Sequence, residues 1–187
     1  TEKQSVRLPC EITMGNACGY LLGAALVICS CIKERPTGAD LGVGDNIPDF
    51  EVTMNDGSVV TGHELRQSPS CIVFFHTSCP DCRKVLPVIQ ELYDKYAHDG
   101  VAFALISRED GEAEVAGYWK ETELSMPYSA QTSREIYSLF ARTGVPRIYI
   151  CEKGGLIKAI YSDDPVPGFE ELDSQINSLK CRAYLEK

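Results

Sequence analysis

An apolar run, Cys71-Ile-Val-Phe-Phe75, is followed three residues later by two closely spaced cysteines, Cys79-Pro80-Asp81-Cys82. These in turn open a stretch whose apolar residues recur at helical spacing. A short run that is almost wholly apolar suits a central strand covered on both faces. Pro80 fits the first turn of a helix, where its missing N–H is not needed. Val85, Leu86, Val88, Ile89, Leu92, Tyr93 and Tyr96 then supply one broad apolar face. Gly100 ends that helix, and Val101-Ala-Phe-Ala-Leu-Ile106 reads as a second buried strand. Strand, helix and strand in this order imply a right-handed parallel crossover, and therefore an α/β domain.

The flanking sequence fills in the rest. Phe50-Glu-Val52 and Ser58-Val-Val-Thr61 alternate as short strands around the tight-turn signal Asn55-Asp56-Gly57, a β-hairpin. His63 to Arg66 reads as a helical turn. Glu109 to Lys120 is predicted to be an exposed, acidic helix with Val115, Tyr118 and Trp119 turned inward. Ser133 to Arg142 is predicted as a further helix with Ile136, Leu139 and Phe140 on one face. Pro146 to Ile150 and Leu156 to Tyr161 are strands joined through Lys153-Gly154-Gly155, and Phe169 to Ala183 closes the chain as an amphipathic helix.

The chemistry concentrates at the paired cysteines. A cysteine at a helix N-terminus faces unpaired N–H groups and the positive end of the helix dipole, both of which stabilise a thiolate. Cys79 is therefore expected to be the attacking sulfur. Cys82 lies about one turn further on, close enough to bond with it and shielded by the turn above. The expected cycle has Cys79 attack a disulfide and Cys82 resolve the mixed disulfide. Arg83 and Lys84 favour the thiolate and Asp81 opposes it. The redox-active disulfide is itself the working group, and no further cofactor is implied.

Composition removes other classes. The net charge of −9, without any run of Lys and Arg, argues against a nucleic-acid surface. Nine cysteines are present, but no second CxxC and no histidine at ligand spacing accompany the pair, so a four-ligand zinc site is poorly supported and no metal is expected. Cys71 and Cys151 at strand positions and Cys181 on the last helix are expected to be buried, inert thiols.

The N-terminal part has a different character. Ile12 to Ile32 carries no charged side chain, and Tyr20 to Ile28 is its apolar core. Such a run before Lys33-Glu-Arg-Pro36 reads as an export signal. Ile28-Cys29-Ser30-Cys31 resembles a bacterial lipobox, which makes Cys31 the candidate for lipidation. The alternative is an uncleaved anchor, since the stretch just reaches the roughly 20 residues a span requires. The expected organisation is residues 1–31 as signal, lipoprotein or anchor segment, 32–43 as a flexible linker rich in Gly and Pro, and 44–187 as the folded domain. Both readings put the domain at the outer side of a bacterial membrane.

Two further prolines sharpen the picture. Pro87 falls inside the helix, eight residues after Cys79, and Gly144-Val145-Pro146 stands just ahead of a strand. With the CxxC between a buried strand and an amphipathic helix, the domain resembles the thioredoxin superfamily from about Gly44 onward. The added hairpin and the insert around residues 109–132 look most like the TlpA/ResA-type envelope thiol–disulfide oxidoreductases, related to the AhpC/TSA redoxins. The resemblance implies a thioredoxin-like fold: a central mixed sheet flanked by helices, with an N-terminal β-hairpin and a helical insert. It implies Cys79 as nucleophile, Cys82 as resolving thiol and Pro146 as a cis-proline beside them. Val145, Pro80 and Asp81 would face the substrate. Protein disulfides or dithiols would be the partners, with a membrane redox donor and a membrane-tethered location in the cell envelope.

The sequence departs from that family in two places. Ser78 stands where Trp commonly precedes the first cysteine, and apolar Val73 takes the place of the buried acid on the preceding strand. His76, Glu109, Glu112 and Glu114 are the nearby groups weighed as substitutes. Two other functions remain open on the sequence. One is a peroxiredoxin-like peroxidase, for which Thr77 would have to organise peroxide. The other is a copper or thiol carrier, for which Met54, Met126 and His63 show no ligand spacing.

Overall fold

The computed structural model describes residues 39–185. Residues 1–31, read above as a signal or anchor segment with Cys31 within it, and most of the 32–43 stretch read as a linker lie outside the described residues. Among the described residues no helix is long and apolar enough to cross a membrane. Of the stretch read as a linker, Asp40 and Leu41 are fastened to the domain. The Leu41 N–H donates to the Phe140 carbonyl at 2.8 Å, and Asp40 accepts from the Arg142 N–H at 3.0 Å.

The first strands among the described residues form a two-stranded antiparallel ribbon, β1 (Glu51–Thr53) and β2 (Val59–Thr61), paired with Val52 opposite Val60. Gly57 turns it at φ +84°, a conformation that favours glycine, and the Asp56 carboxylate caps the turn by accepting from the Ser58 N–H at 2.9 Å. A single helical turn, α1 (Gly62–Leu65), follows from a reciprocal cap: Thr61 accepts from the Glu64 N–H while Glu64 accepts from the Thr61 N–H.

The main sheet runs in the order β4-β3-β5-β6. Its central strand β3 (Ser70–Phe75) is buried at every position, as its unbroken apolar run requires. It lies parallel to β4 (Ala102–Ser107) and antiparallel to β5 (Arg147–Cys151), which pairs antiparallel with β6 (Ile157–Tyr161). The crossover between β3 and β4 is α2 (Pro80–Tyr96), which buries Val85, Leu86, Ile89, Leu92 and Tyr96. Pro87 sits inside α2, although a proline there costs about 3 kcal/mol. The last helix, α5 (Phe169–Leu185), lies against α2, where Asp173 receives the Lys95 ammonium and the Tyr96 hydroxyl. Alternation along β3 divides the aromatic core. The ring of Phe74 meets Tyr137, Phe140 and Tyr149, while Phe75 meets Trp119.

Two expectations need correcting. The helix foreseen over Ser133–Arg142 is one turn only, α4 (Glu135–Ser138), and Leu139, assigned to its inner face, is 44% exposed. Phe140 is buried as foreseen, but Tyr137 and Ala141 join it in place of Leu139, because the aromatic cluster around Phe74 draws in the large rings and breaks the 3.6-residue period. The acidic helix α3 (Glu112–Glu121) begins three residues later than foreseen. Arg108 to Asp110 are bound instead into the loop beside the paired cysteines: the Arg108 N–H donates to the Phe75 carbonyl at 2.7 Å.

Candidate active site

The cysteine pair stands where the buried strand β3 hands the chain to α2. Cys79 is the N-cap of that helix and is half-buried, its N–H held by the His76 carbonyl at 3.0 Å. Pro80 at the first helical position is exposed and Asp81 half-buried, the latter paired with Lys84 at 2.7 Å. Cys82, one turn into the helix, is completely buried. Both thiols are free.

A second strand end closes over them. The Val145–Pro146 peptide bond is cis, both residues are buried, and the Cys79 thiol donates to the Val145 carbonyl at 3.3 Å. Side chains fasten this loop from below. Tyr137 donates its hydroxyl to the Gly144 carbonyl at 2.6 Å, and Arg147 reaches the Thr143 carbonyl at 3.1 Å while pairing with Asp40 at 3.0 Å. Tyr137, Arg147 and Asp40 were not foreseen as parts of the site. A tyrosine in an aromatic stretch and an arginine in a strand give no local signal of such a role.

Cys82 is set to stay protonated. Burial pushes its thiol up most; the hydrogen bond to Cys79 and the charge of Cys79 add to this. The His76 backbone amide and the Arg108 guanidinium act in the opposite direction. Cys71 and Cys151 are also pushed up by burial, Cys151 to about 12, and are inert core thiols. Cys181 is different: it is exposed on α5, contrary to the expectation of a buried thiol, because the apolar stripe of that helix runs through Leu172, Ile176 and Leu179 and leaves position 181 outside.

A buried carboxylate enters the loop ahead of Cys79 from another element. Asp110, just past the end of β4, is 6% exposed. It accepts from the Thr77 N–H at 2.5 Å and lies 3.0 Å from His76 Nε2. The other imidazole nitrogen, Nδ1, is 2.9 Å from Ser78 Oγ. The Thr77 carbonyl accepts from Arg83 Nε at 2.7 Å, and the Arg83 guanidinium lies over the Tyr118 ring. Glu109 turns away into a pair with Arg134 and Arg108, which hold its carboxyl down to about 2. Glu112 accepts from the Tyr128 hydroxyl. The parallel register carried the missed signal: with Phe75 opposite Ser107, the residues that follow each strand must run side by side.

Among the described residues no group of three or more His, Cys, Asp and Glu side chains is placed to hold a metal ion. The arrangement offers one half-exposed sulfur and a buried second sulfur under a fixed backbone carbonyl, which suits exchange between a dithiol and a disulfide.

The chain resembles known proteins in sequence and in fold. A model of the AhpC/TSA family matches residues 43–160. The thiol-disulfide oxidoreductase ResA of Bacillus cereus is 25% identical over 115 residues, covering 62% of this chain and 66% of the relative, so the match spans just under two thirds of that protein. ResA of Oceanobacillus iheyensis is 26% identical over 144 residues, covering 75% of each. A thiol:disulfide interchange protein of the thioredoxin family from Chlorobium tepidum superimposes with a TM-score of 0.64 at 20% identity, over 76% of this chain and 99% of that one. The fold is therefore the thioredoxin-like α/β fold with an added N-terminal two-stranded sheet.

Proposed function

The chain belongs to the AhpC/TSA family, and from that premise we propose that it is a protein thiol–disulfide oxidoreductase cycling Cys79 and Cys82 between dithiol and disulfide. The observation that carries this is the placement of the two sulfurs: Cys79 half-exposed against the Val145 carbonyl, Cys82 buried one turn below.

The order of events follows from their surroundings. The Cys79 thiolate attacks one sulfur of a substrate disulfide, forming a mixed disulfide and releasing the other substrate sulfur as a thiol. Until then Cys82 is kept neutral by burial and by its neighbour. Once Cys79 is bonded to substrate it carries no charge and no longer competes for the Cys82 proton. The His76 amide and Arg108 then act on Cys82 against desolvation alone. Cys82 becomes a nucleophile at the step that needs it, attacks Cys79, and releases the second substrate thiol. Two electrons pass to the substrate, and the protein is left with a Cys79–Cys82 disulfide.

Val145 and Pro146 would present backbone to the substrate, with Pro80 and Asp81 on the opposite rim. The direction we infer is reduction of exported protein disulfides in a bacterial cell envelope. A membrane redox donor would restore the dithiol, and residues 1–31, with Cys31 as the lipid-bearing candidate, would tether the domain. A resolving thiol beside Cys79 favours dithiol exchange over a peroxidase. The equilibrium reduction potential of the pair is the test. A value near or below roughly −270 mV means a reductant, and one near roughly −120 mV means a disulfide donor. If no Cys79–Cys82 disulfide forms at any poise, the reading fails.

A further inference from the structure

We propose that Asp110, His76 and Ser78 form a proton relay that protonates the departing substrate sulfur during exchange at Cys79, with His76 as the group that carries the proton and Asp110 as its positioning residue. The inference rests on the dithiol reading above and adds the proton path that reading leaves open.

The hydrogen bonds fix the direction of the relay. Asp110 is nearly fully buried and already accepts from the Thr77 N–H, so its second oxygen, 3.0 Å from His76 Nε2, accepts a proton held on that nitrogen. The Ser78 N–H points at Nδ1 at 3.3 Å, which leaves Nδ1 as the nitrogen with the lone pair. A carboxylate behind one imidazole nitrogen sets the tautomer and stabilises the imidazolium that forms when the other takes a proton. Nδ1 is 2.9 Å from the Ser78 hydroxyl, and Ser78 is exposed and next in the chain to Cys79. The relay thus runs from a buried carboxylate to the residue bordering the reactive sulfur. The same histidine touches the resolving sulfur through its backbone amide. Around these groups stand Cys79 at the cap of α2, Cys82 and Arg83 within it, Arg108 and Glu109 after β4, and Tyr118 of α3.

The step balances without another reagent. In the free protein the Cys79 thiol donates to the Val145 carbonyl; in the proposed step it leaves that carbonyl, its proton passes to His76 by way of the Ser78 hydroxyl, and its sulfur forms a bond with one substrate sulfur as the substrate S–S bond breaks. The released sulfur takes the electron pair of that bond and then the proton from His76. Cys82 repeats the exchange at Cys79, so two protons and two electrons leave the protein as two substrate thiols.

A leaving thiol of high pKa needs that proton, whereas an aryl thiolate leaves readily without it. The test compares reduction of bis-hydroxyethyl disulfide with that of dithio-bis-nitrobenzoate by the full chain, in the unsubstituted protein and in the His76→Asn and Ser78→Ala variants. Ser78 is exposed and its replacement does not threaten folding. The expected result is a fall of roughly a hundredfold in the ratio of alkyl to aryl rates for His76→Asn, and a fall in the same ratio for Ser78→Ala. An unchanged ratio, whether both rates drop together or neither drops, overturns the relay and leaves the dithiol reading standing. If the unsubstituted protein reduces neither disulfide, the dithiol reading fails and the relay with it.

Discussion

The Cys79 sulfur donates to the carbonyl oxygen of Val145 at 3.3 Å, across 66 residues of chain. That contact brings the start of α2 against the start of β5, two elements that leave the same end of the sheet because β3 and β5 are antiparallel neighbours. On the proposed function, a substrate sulfur bonded to Cys79 would lie beside a backbone carbonyl and next to a buried proline with no N–H of its own.

The two sulfurs are expected to fail differently when replaced. Cys82→Ser keeps the half-exposed Cys79 and removes the thiol proposed to resolve it, so incubation with a disulfide-bonded protein is expected to leave a stable mixed disulfide at Cys79. At the pair, Cys79→Ser leaves only a buried thiol that stays protonated, and neither an adduct there nor turnover is expected. Peptide mapping after quenching with an alkylating agent, read at the peptide that holds positions 79 and 82, distinguishes the two, because exposed Cys181 can form adducts of its own in either variant. Equal adducts on both variants would contradict the assigned roles.

Tyr137→Phe removes the hydroxyl that donates to the Gly144 carbonyl at 2.6 Å while keeping the ring against Phe74. A loss of about 1 kcal/mol in stability is expected from a single hydrogen bond of this kind. Since the bond holds the loop over Cys79, exchange with a protein substrate should slow more than alkylation of Cys79 by a small reagent. Urea titration gives the first quantity and paired rate measurements the second.

The elements legible in the sequence were those whose burial is decided locally. β3 and β4 are apolar at nearly every position because both faces are covered, and α2 shows its inner face because one helix packs against one sheet. The paired cysteines could be read for the same reason, being fixed by one strand–helix junction. What stayed hidden depends on register. Asp110 becomes part of the site only because β3 and β4 are parallel and end together, and Tyr137 only because an aromatic cluster overrides the helical period. Cys181 was misplaced by one step around α5, since a single exposed position on an amphipathic helix is set by its packing angle rather than by its residue type.

Glycines at two positions should respond in opposite directions. A Cβ on Gly62 would come within 2.2 Å of the Pro48 carbonyl oxygen, a backbone atom that cannot swing aside. Gly62→Ala is expected to lower stability by about 1–3 kcal/mol through overpacking. Gly117 lies exposed within α3 with open space around its Cα, and its φ is not in the left-handed region. Gly117→Ala is expected to raise stability by roughly 0.5–1 kcal/mol through helix propensity. Thermal or urea denaturation of both variants checks the pair, and a neutral Gly62→Ala would mean that the close approach of Pro48 to α1 is not maintained.

Alkaline conditions should unfold this protein for a reason that lies in its core. Cys71, Cys82 and Cys151 all have thiols pushed up by burial, Cys151 to about 12. A raised folded-state pKa means that the native state holds its proton where the unfolded chain has lost it. The stability tied to these protons is therefore complete below the unfolded thiol value, near 8.5, and is lost as pH rises from there through the folded values. At about pH 10 each such thiol has forfeited about 2 kcal/mol, so urea midpoints should fall steeply between about pH 8 and pH 10. In a Cys71→Ala, Cys151→Ala double variant the absolute stability at neutral pH drops, because two buried side chains are shortened. Its slope against pH should nevertheless be shallower than that of the unsubstituted protein. An equally steep slope would assign the alkaline loss to other groups, with buried Tyr149, also pushed up by burial, the next to replace.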